Sequence, residues 1–308
     1  MVKVSFVCPI FNKQNYIEIV LSSLKNQIGS FNKEFIFIND GSTDSSLQDI
    51  RKKTKNWENV KILDQKNFGP AVATQNGIEI SSGDYLKLVG GDDVLHPNCT
   101  NMLLEVIKKN KSVAVFSKYK LLENYELLNF RKEKLFFNKR IESPLYETVK
   151  SSFSGTSPNL YCNKTIKKYG GCNTKLFVED FSLVLGLSMQ GSFSFIDNVT
   201  SFGPKNDINR IMVGKKTQLL HDYNAALYYF LLKYENIPPR IKTIACKKTI
   251  GRAEKWGRRT KGKKFMNKMN LLKIKFFLGY SNHIEIIKNT CHYFYENLSD
   301  EAIRYKII

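Results

Sequence analysis

Tyr85-Leu86-Lys87-Leu88-Val89-Gly90-Gly91-Asp92-Asp93 reads as a short apolar strand that runs directly into two glycines and two carboxylates. Upstream of it, Ala71 to Ile80 reads as a helix, Val60 to Leu63 as a strand and Ser45 to Thr54 as a helix. Glu34 to Ile38 is a strand that stops at the polar turn Asn39-Asp40-Gly41-Ser42-Thr43-Asp44. Asn15 to Gln27 carries apolar residues at helical spacing (Ile17, Val20, Leu21, Leu24 and then Ile28), and Val4 to Ile10 is a compact β run. Strands alternating with helices at this spacing predict βαβ units and an α/β fold with a mainly parallel sheet. Ligands of such sheets bind beyond the carboxyl ends of the strands, where chain order switches. The polar clusters after Ile38 and Val89 both sit at such ends.

Downstream of Phe153 the pattern is irregular, with Gly155, Pro158, Gly170, Gly171, Gly186 and Gly191 breaking it into short elements. After Pro204 the composition shifts, and Thr217 to Tyr234, Arg240 to Trp256, Phe265 to Tyr280 and His283 to Glu296 read as helices, with Pro238-Pro239 as a break. A chain of 308 residues with 42% hydrophobic content accommodates one large α/β domain and a smaller appendage. We expect an α/β domain over 1–214 and a basic, mainly helical extension over 215–308.

The formal charge of +20 calls for something anionic: nucleic acid, an acidic membrane surface or a phosphate-bearing substrate. The six cysteines are scattered, without a CxxC pair or zinc-finger spacing, and read as reduced thiols of a cytoplasmic protein. Met1-Val2-Lys3-Val4 runs straight into a strand, unlike a signal peptide. Apolar runs such as Ala225 to Leu232 fall well short of the ~20 residues that span a bilayer, so membrane contact is expected to be peripheral.

Neighbouring carboxylates at a strand end, such as Asp92-Asp93, can hold a hard cation that bridges a diphosphate, and glycines beside them let a phosphate approach the backbone. An isolated Asp-Asp pair is equally a solvated turn. In the turn after the second strand, Asp40 can accept from the imide N–H of uracil, while Gly41 permits tight turning. Ser42 and Asp44 have the competing role of capping the next helix.

Taken together, Val4-Ser5-Phe6-Val7-Cys8-Pro9-Ile10-Phe11-Asn12, Phe37 to Asp44, Asn67-Phe68-Gly69-Pro70 and Ser82-Gly83-Asp84-Tyr85 leading to Gly91-Asp92-Asp93 resemble glycosyltransferase family 2, the large inverting GT-A group. Four blocks in order and at matching spacing over about 95 residues carry the resemblance. It implies a GT-A fold and a nucleotide-sugar donor, UDP-linked, with Mg²⁺ or Mn²⁺. It further implies that Pro9, Ile10, Phe11, Asn12, Asp40, Asn67, Gly69, Gly91 and Asp92 line the donor site, with Asp92 and Asp93 at the metal. Members usually have an acid where Gly90 stands, and often Arg-Asn where Thr74-Gln75 stand. The family also carries a Glu-Asp pair after a Gly-Gly, matched here by Glu179-Asp180 after Gly170-Gly171. By resemblance Asp180 is the base that takes the acceptor's hydroxyl proton, and Glu179 orients it or touches the acceptor. The competing reading is a helix start enriched in acids. His96 and His221 are lone histidines, more often structural than ligating.

From Arg240 to Lys275 basic residues interleave with Trp256, Phe265, Met266, Leu271, Leu272, Ile274, Phe276 and Phe277, a pattern that suits an anionic membrane interface. A solvated helical face competes with that reading. No nucleic-acid partner is expected, because no recognised module accompanies the charge. The functional expectation is therefore sugar transfer to a glycan or lipid-linked cell-envelope saccharide, by an enzyme peripheral at the inner face of the cytoplasmic membrane. A non-catalytic sugar-nucleotide-binding scaffold is the competing class, argued from Gly90.

Overall fold

The computed structural model describes residues 1–128, 130, 138–151, 153, 156–205, 214–260, 262–279 and 282–295, without the side chains of 127, 260 and 262–268. In chain order the first elements are β1 (Lys3–Ile10), α1 (Gln14–Lys25), β2 (Asn32–Asp40), α2 (Ser46–Thr54), β3 (Val60–Gln65), α3 (Pro70–Ile80), β4 (Tyr85–Leu88), β5 (Val94–Leu95) and α4 (Cys99–Asn110). There follow β6 (Ala114–Leu122), β7 (Asn138–Ile141), α5 (Leu145–Ser151), β8 (Asn159–Cys162), α6 (Asn163–Tyr169), α7 (Glu179–Leu187) and β9 (Phe193–Pro204). The tail holds α8 (Lys216–Lys233), α9 (Pro239–Thr260), α10 (Gly262–Phe277) and α11 (His283–Tyr295).

Two compact units result. The first comprises Met1–Pro144, Ser154–Cys172 and Gly186–Asp207; the second comprises Leu145–Phe153, Asn173–Leu185 and Ile208–Ile308. The expected boundary at 214/215 adjoins residues 206–213, which lie outside the described residues.

All the described strands belong to the first unit and form one sheet in the order β3-β2-β1-β4-β8-β6-β9-β5, with β7 added on β9. β3, β2, β1 and β4 are mutually parallel. β8 runs against both β4 and β6, while β9 is parallel to β6. β1 is buried along nearly its whole length, as expected of a parallel strand covered on both faces. Ile17, Val20, Leu21 and Leu24 of α1 join Phe6, Phe35, Phe37 and Leu103 in its core. Chain order reverses between β1 and β4: from β1 the sheet grows through β2 to β3 on one side, and β4 begins the other. The carboxyl ends of β1 and β4 therefore flank a switch point, the usual place for a ligand crevice.

The second unit has its own core. Phe181 and Leu185, one helical turn apart on α7, pack with Leu227 and Phe230 of α8, Ala245 and Trp256 of α9, Met269 of α10 and Ile286 and Phe294 of α11. Trp256 is buried there, donating from Nε1 to Thr217 Oγ1 at 3.2 Å. This corrects its expected place on a membrane-facing surface: the apolar face of α9 is used up internally. No described helix is long and apolar enough to cross a membrane.

Candidate functional site

The loops that follow β1 and β2 are stitched together. Asn12, with a positive φ of 51°, donates its backbone N–H to Ser42 Oγ at 3.1 Å and accepts from the Thr43 N–H at 2.8 Å through Oδ1. Lys13 N donates to Ser46 Oγ at 2.8 Å, and Asp44 accepts from the N–H groups of Gln14 and Ser46. Ser42 is thus spent on the β1–α1 loop and does not cap α2. Its N-cap residue is Ser45, whose side chain makes no capping bond.

Asp40 lies inside β2, opposite Gln65, instead of in the turn where the apolar pattern placed it. Its Oδ1 accepts from Gln65 Nε2 at 2.9 Å and the Phe68 N–H at 2.8 Å, and its Oδ2 accepts from the Gly69 N–H at 2.8 Å. A carboxylate has about four acceptor positions, so the three bonds among the described residues leave room for one more donor. The same bonds hold the Asn67-Phe68-Gly69 loop in front of the strand ends. Gly41, at φ 72°, is needed there, since a Cβ would stand 2.7 Å from Asn67 N. Phe68 exposes half of its surface from this loop.

At the end of β4 the two aspartates have different surroundings. Asp93 accepts from Tyr119 Oη at 2.7 Å through Oδ1 and from Ser157 Oγ at 2.5 Å through Oδ2. Asp92 forms a buried ion pair with Lys13, 2.7 Å from Oδ2 to Nζ, and its carbonyl accepts from Tyr125 Oη at 2.5 Å. Burial, followed by the negative charge of Asp93, pushes the Tyr125 phenol well above its usual range. Gly90 donates its N–H to Ser157 Oγ at 3.0 Å, and a Cβ at that position would lie 2.6 Å from Asp93 Oδ2. The space a first acid would need is therefore taken by the Asp93–Ser157 pair. Gly91 packs closely, with a Cβ position 3.2 Å from both Lys13 Cγ and Pro9 O.

A divalent ion is a poor fit to this arrangement. Both oxygens of Asp93 have hydroxyl donors, one oxygen of Asp92 is held by an ammonium, and no group of three or more His, Cys, Asp or Glu residues able to hold a metal occurs among the described residues.

The Ser82-Gly83-Asp84 block lies at the opposite, amino-terminal end of the strands and serves the fold. Ser82 donates from N and Oγ to the buried Glu34, which also accepts from Ser5 Oγ and pairs with Lys61 at 2.9 Å. Burial opposes ionisation of Glu34, but these donors outweigh it and hold its carboxyl down to about 2. Gly83 N donates to Ser5 Oγ at 2.8 Å, and Asp84 accepts from the Lys3 N–H at 2.8 Å. Lys87 is fully buried, its ammonium bonded to the carbonyls of Ser157 and Asn159. Gln75, at one of the family's Arg-Asn positions, accepts from the Cys172 N–H and orders the Gly170-Gly171 loop.

Glu179 and Asp180 open α7 in the second unit. Loss of water, and then the adjacent charge of Asp180, push the Glu179 carboxyl above its usual range. Asp180 Oδ1 accepts from the Phe181 N–H at 2.7 Å. In the same unit Asp222, fully buried, accepts from the Phe177 N–H and from Gln218 Nε2, and lies 2.6 Å from His221 Nδ1. His96, in the first unit, accepts from the Asn98 N–H through Nδ1 and sets its ring edge-on to Phe130. Both histidines are integrated into local structure.

Of the residues expected in the donor site, Pro9, Ile10 and Asp40 end strands β1 and β2, while Phe11, Asn12, Asn67, Gly69, Gly91 and Asp92 stand on the loops that follow β1, β3 and β4. Sequence reasoning passed over Lys13, Ser157 and Tyr119. Lys13 stood next to the Pro9 to Asn12 loop and could have been found there; Ser157 and Tyr119 carried no local signal.

Comparison with known proteins gives this geometry a context. The family model described as glycosyl transferase family 2 matches residues 5–162, just over half of the chain. An uncharacterized glycosyltransferase, YibD, of Escherichia coli is 34% identical over 102 residues, covering 33% of this chain and 29% of its own length. A poly(ribitol-phosphate) beta-glucosyltransferase of Bacillus spizizenii is 31% identical over 121 residues, covering 38% of this chain and 19% of its own. The chain thus spans less than a third of the length of these curated relatives. Among solved structures, S. aureus TarS 1-349 in complex with UDP-GlcNAc superposes with a TM-score of 0.66 at 17% identity, covering 96% of this chain and 87% of that one. The mannosyltransferase PcManGT of Pyrobaculum calidifontis, in complex with GDP-Man and Mn²⁺, gives 0.55 at 11% identity, covering 95% and 84%. At these identities the likeness concerns the fold, which is GT-A as the sequence blocks implied.

Proposed function

The chain belongs to glycosyl transferase family 2, and on that premise we propose that it is an inverting glycosyltransferase using a nucleotide-sugar donor, a UDP-sugar. The observation that carries the proposal is the convergence of three loops at the switch point: Pro9 to Asn12, Asp40 with the Asn67 to Gly69 loop, and Gly91-Asp92. The remaining acceptor position of Asp40 suits the imide N–H of a uracil, and the half-exposed ring of Phe68 offers a face for the base. The UDP-GlcNAc complex of the similarly folded TarS supports the choice of nucleotide.

In this reading Asp180 accepts the proton of the acceptor hydroxyl as that oxygen bonds to the anomeric carbon. The bond from that carbon to the diphosphate oxygen breaks on the opposite face, and the nucleoside diphosphate leaves as an anion. Glu179, adjacent in sequence, is the group that would orient Asp180 or touch the acceptor. Mg²⁺ or Mn²⁺, the cofactor the resemblance implies, finds a poor fit in the described residues, and no step is derived through it. The acceptor we propose is a lipid-linked or cell-envelope saccharide, for which the charge of +20 favours anionic, phosphate-bearing forms. Peripheral attachment to an anionic membrane is supported by α10 and the residue after it, where Leu271, Ile274, Phe277 and Leu278 are exposed beside Lys275.

Nucleoside diphosphate release from UDP-, GDP- and dTDP-sugars, with mixed glycolipid acceptors, tests the reading against Asp180→Asn. Release from one donor that the variant abolishes, with donor binding unchanged, is the expected result. Undiminished transfer by the variant overturns the role of Asp180. Donor binding without turnover on any acceptor favours a scaffold.

A further inference from the structure

We propose that Lys13 supplies the positive charge that receives the donor's diphosphate, so that nucleotide binding by this chain does not depend on a divalent cation. This rests on the donor-site reading above. Its basis is the local bonding. The Lys13 side chain is about 6% exposed, and among the described residues its ammonium makes one hydrogen bond, to Asp92 Oδ2, of the three it can donate. Burying an ammonium with two donors unused is costly unless a ligand completes it, and phosphate oxygens are acceptors of the right charge. Lys87, a fully buried lysine on β4, shows the contrast: two backbone carbonyls hold it, and it is structural.

The position of Lys13 is also firmly determined. Its backbone is tied to Ser46, its carbonyl accepts from Tyr16 N and Ile17 N at the start of α1, and Nζ lies 5.8 Å from the centroid of the Tyr16 ring. Gly91 closes on its stem. Asp92, which the family resemblance assigns to a metal, acts here as the carboxylate that aims the ammonium. The chain lacks the first acid at Gly90, and Asp93 is engaged by Tyr119 and Ser157, so the surroundings favour one fixed cation over a chelated ion.

Calorimetric titration of the full chain with UDP, in EDTA and then in Mn²⁺, tests this directly. The wild-type chain is expected to bind UDP in EDTA, with affinity changing less than about threefold on adding Mn²⁺. Lys13→Met, which keeps the stem and removes the charge, is expected to lose at least about tenfold in EDTA. Lys13→Arg is expected to recover part of that loss. UDP binding by the wild type only when Mn²⁺ is present overturns the proposal without needing any variant to fold, and so does a folded Lys13→Met chain that binds like wild type in EDTA. Failure of UDP, GDP and dTDP to bind under every condition instead removes the donor-site reading, and this inference with it.

Discussion

Tyr119 Oη donates to Asp93 Oδ1 at 2.7 Å across a space that exists only because residue 203 is glycine: a Cβ there would lie 1.5 Å from that hydroxyl and 2.7 Å from the carboxylate oxygen. Tyr119→Phe should leave a buried carboxylate short of one donor and cost about 1 to 3 kcal/mol in urea unfolding. Gly203→Ala should cost at least as much, and part of that cost should disappear in the double variant, where the clashing hydroxyl is gone. Strict additivity of the two single variants would show that the glycine serves another purpose.

Replacing Gly90 by Asp restores the acid its relatives usually carry, but places a Cβ 2.6 Å from Asp93 Oδ2. Thermal melts with and without Mn²⁺ should show a lowered midpoint that the ion does not recover. A metal-dependent rise above wild type would mean that Asp93 turns away and a cation site forms.

Glu34 connects stability to acid. Its folded carboxyl is held down to about 2, below its ordinary value, so its contribution is complete above the unfolded value and is lost as pH falls through the folded one. Urea melts should find Glu34→Gln destabilised by about 1 to 3 kcal/mol at neutral pH, with the gap to wild type closing as the solution approaches about pH 2. A gap independent of pH would assign the cost to geometry alone.

The opposite sign holds for Glu179. Its folded carboxyl is raised, so its contribution is favourable below the unfolded value and is lost as pH rises through the folded one. Glu179→Gln should therefore be more stable than wild type at about pH 9 and show little difference at about pH 4. Equal midpoints at both ends of that range would remove the desolvated charge from the argument.

On α10, Phe277→Glu and Leu271→Glu should each weaken flotation with vesicles containing anionic lipid while leaving UDP binding unchanged. Flotation that is unaltered, or absent in the parent chain, would return this face to ordinary solvent exposure.

The parallel half of the fold was legible because its signals are local. Ile17, Val20, Leu21 and Leu24 announce α1 by their spacing, Gly69-Pro70 starts α3, and the apolar run over Val4 to Ile10 announces β1. The residues proposed for the donor were legible for the same reason, since they stand at or directly after the ends of the strands. Asp40 was misplaced by its polarity: strand pairing with Gln65 and three hydrogen bonds draw it into β2 despite the absence of an apolar side chain. Trp256 was misplaced in the other direction, because the basic residues around it mask the apolar face that α9 turns to the second unit's core.

By itself, then, the sequence determined the βαβ order, the switch point and the family, all of which follow from periodicity and short motifs that neighbouring residues carry. Only the tertiary structure decided how the charges at that switch point are used. Lys13 and Asp92 are 79 residues apart, Ser157 and Asp93 64, and Tyr119 and Asp93 26. No local pattern encodes such pairings, because they depend on which strand ends the sheet sets side by side, and it is those pairings that hold Asp93 in place and aim the ammonium of Lys13.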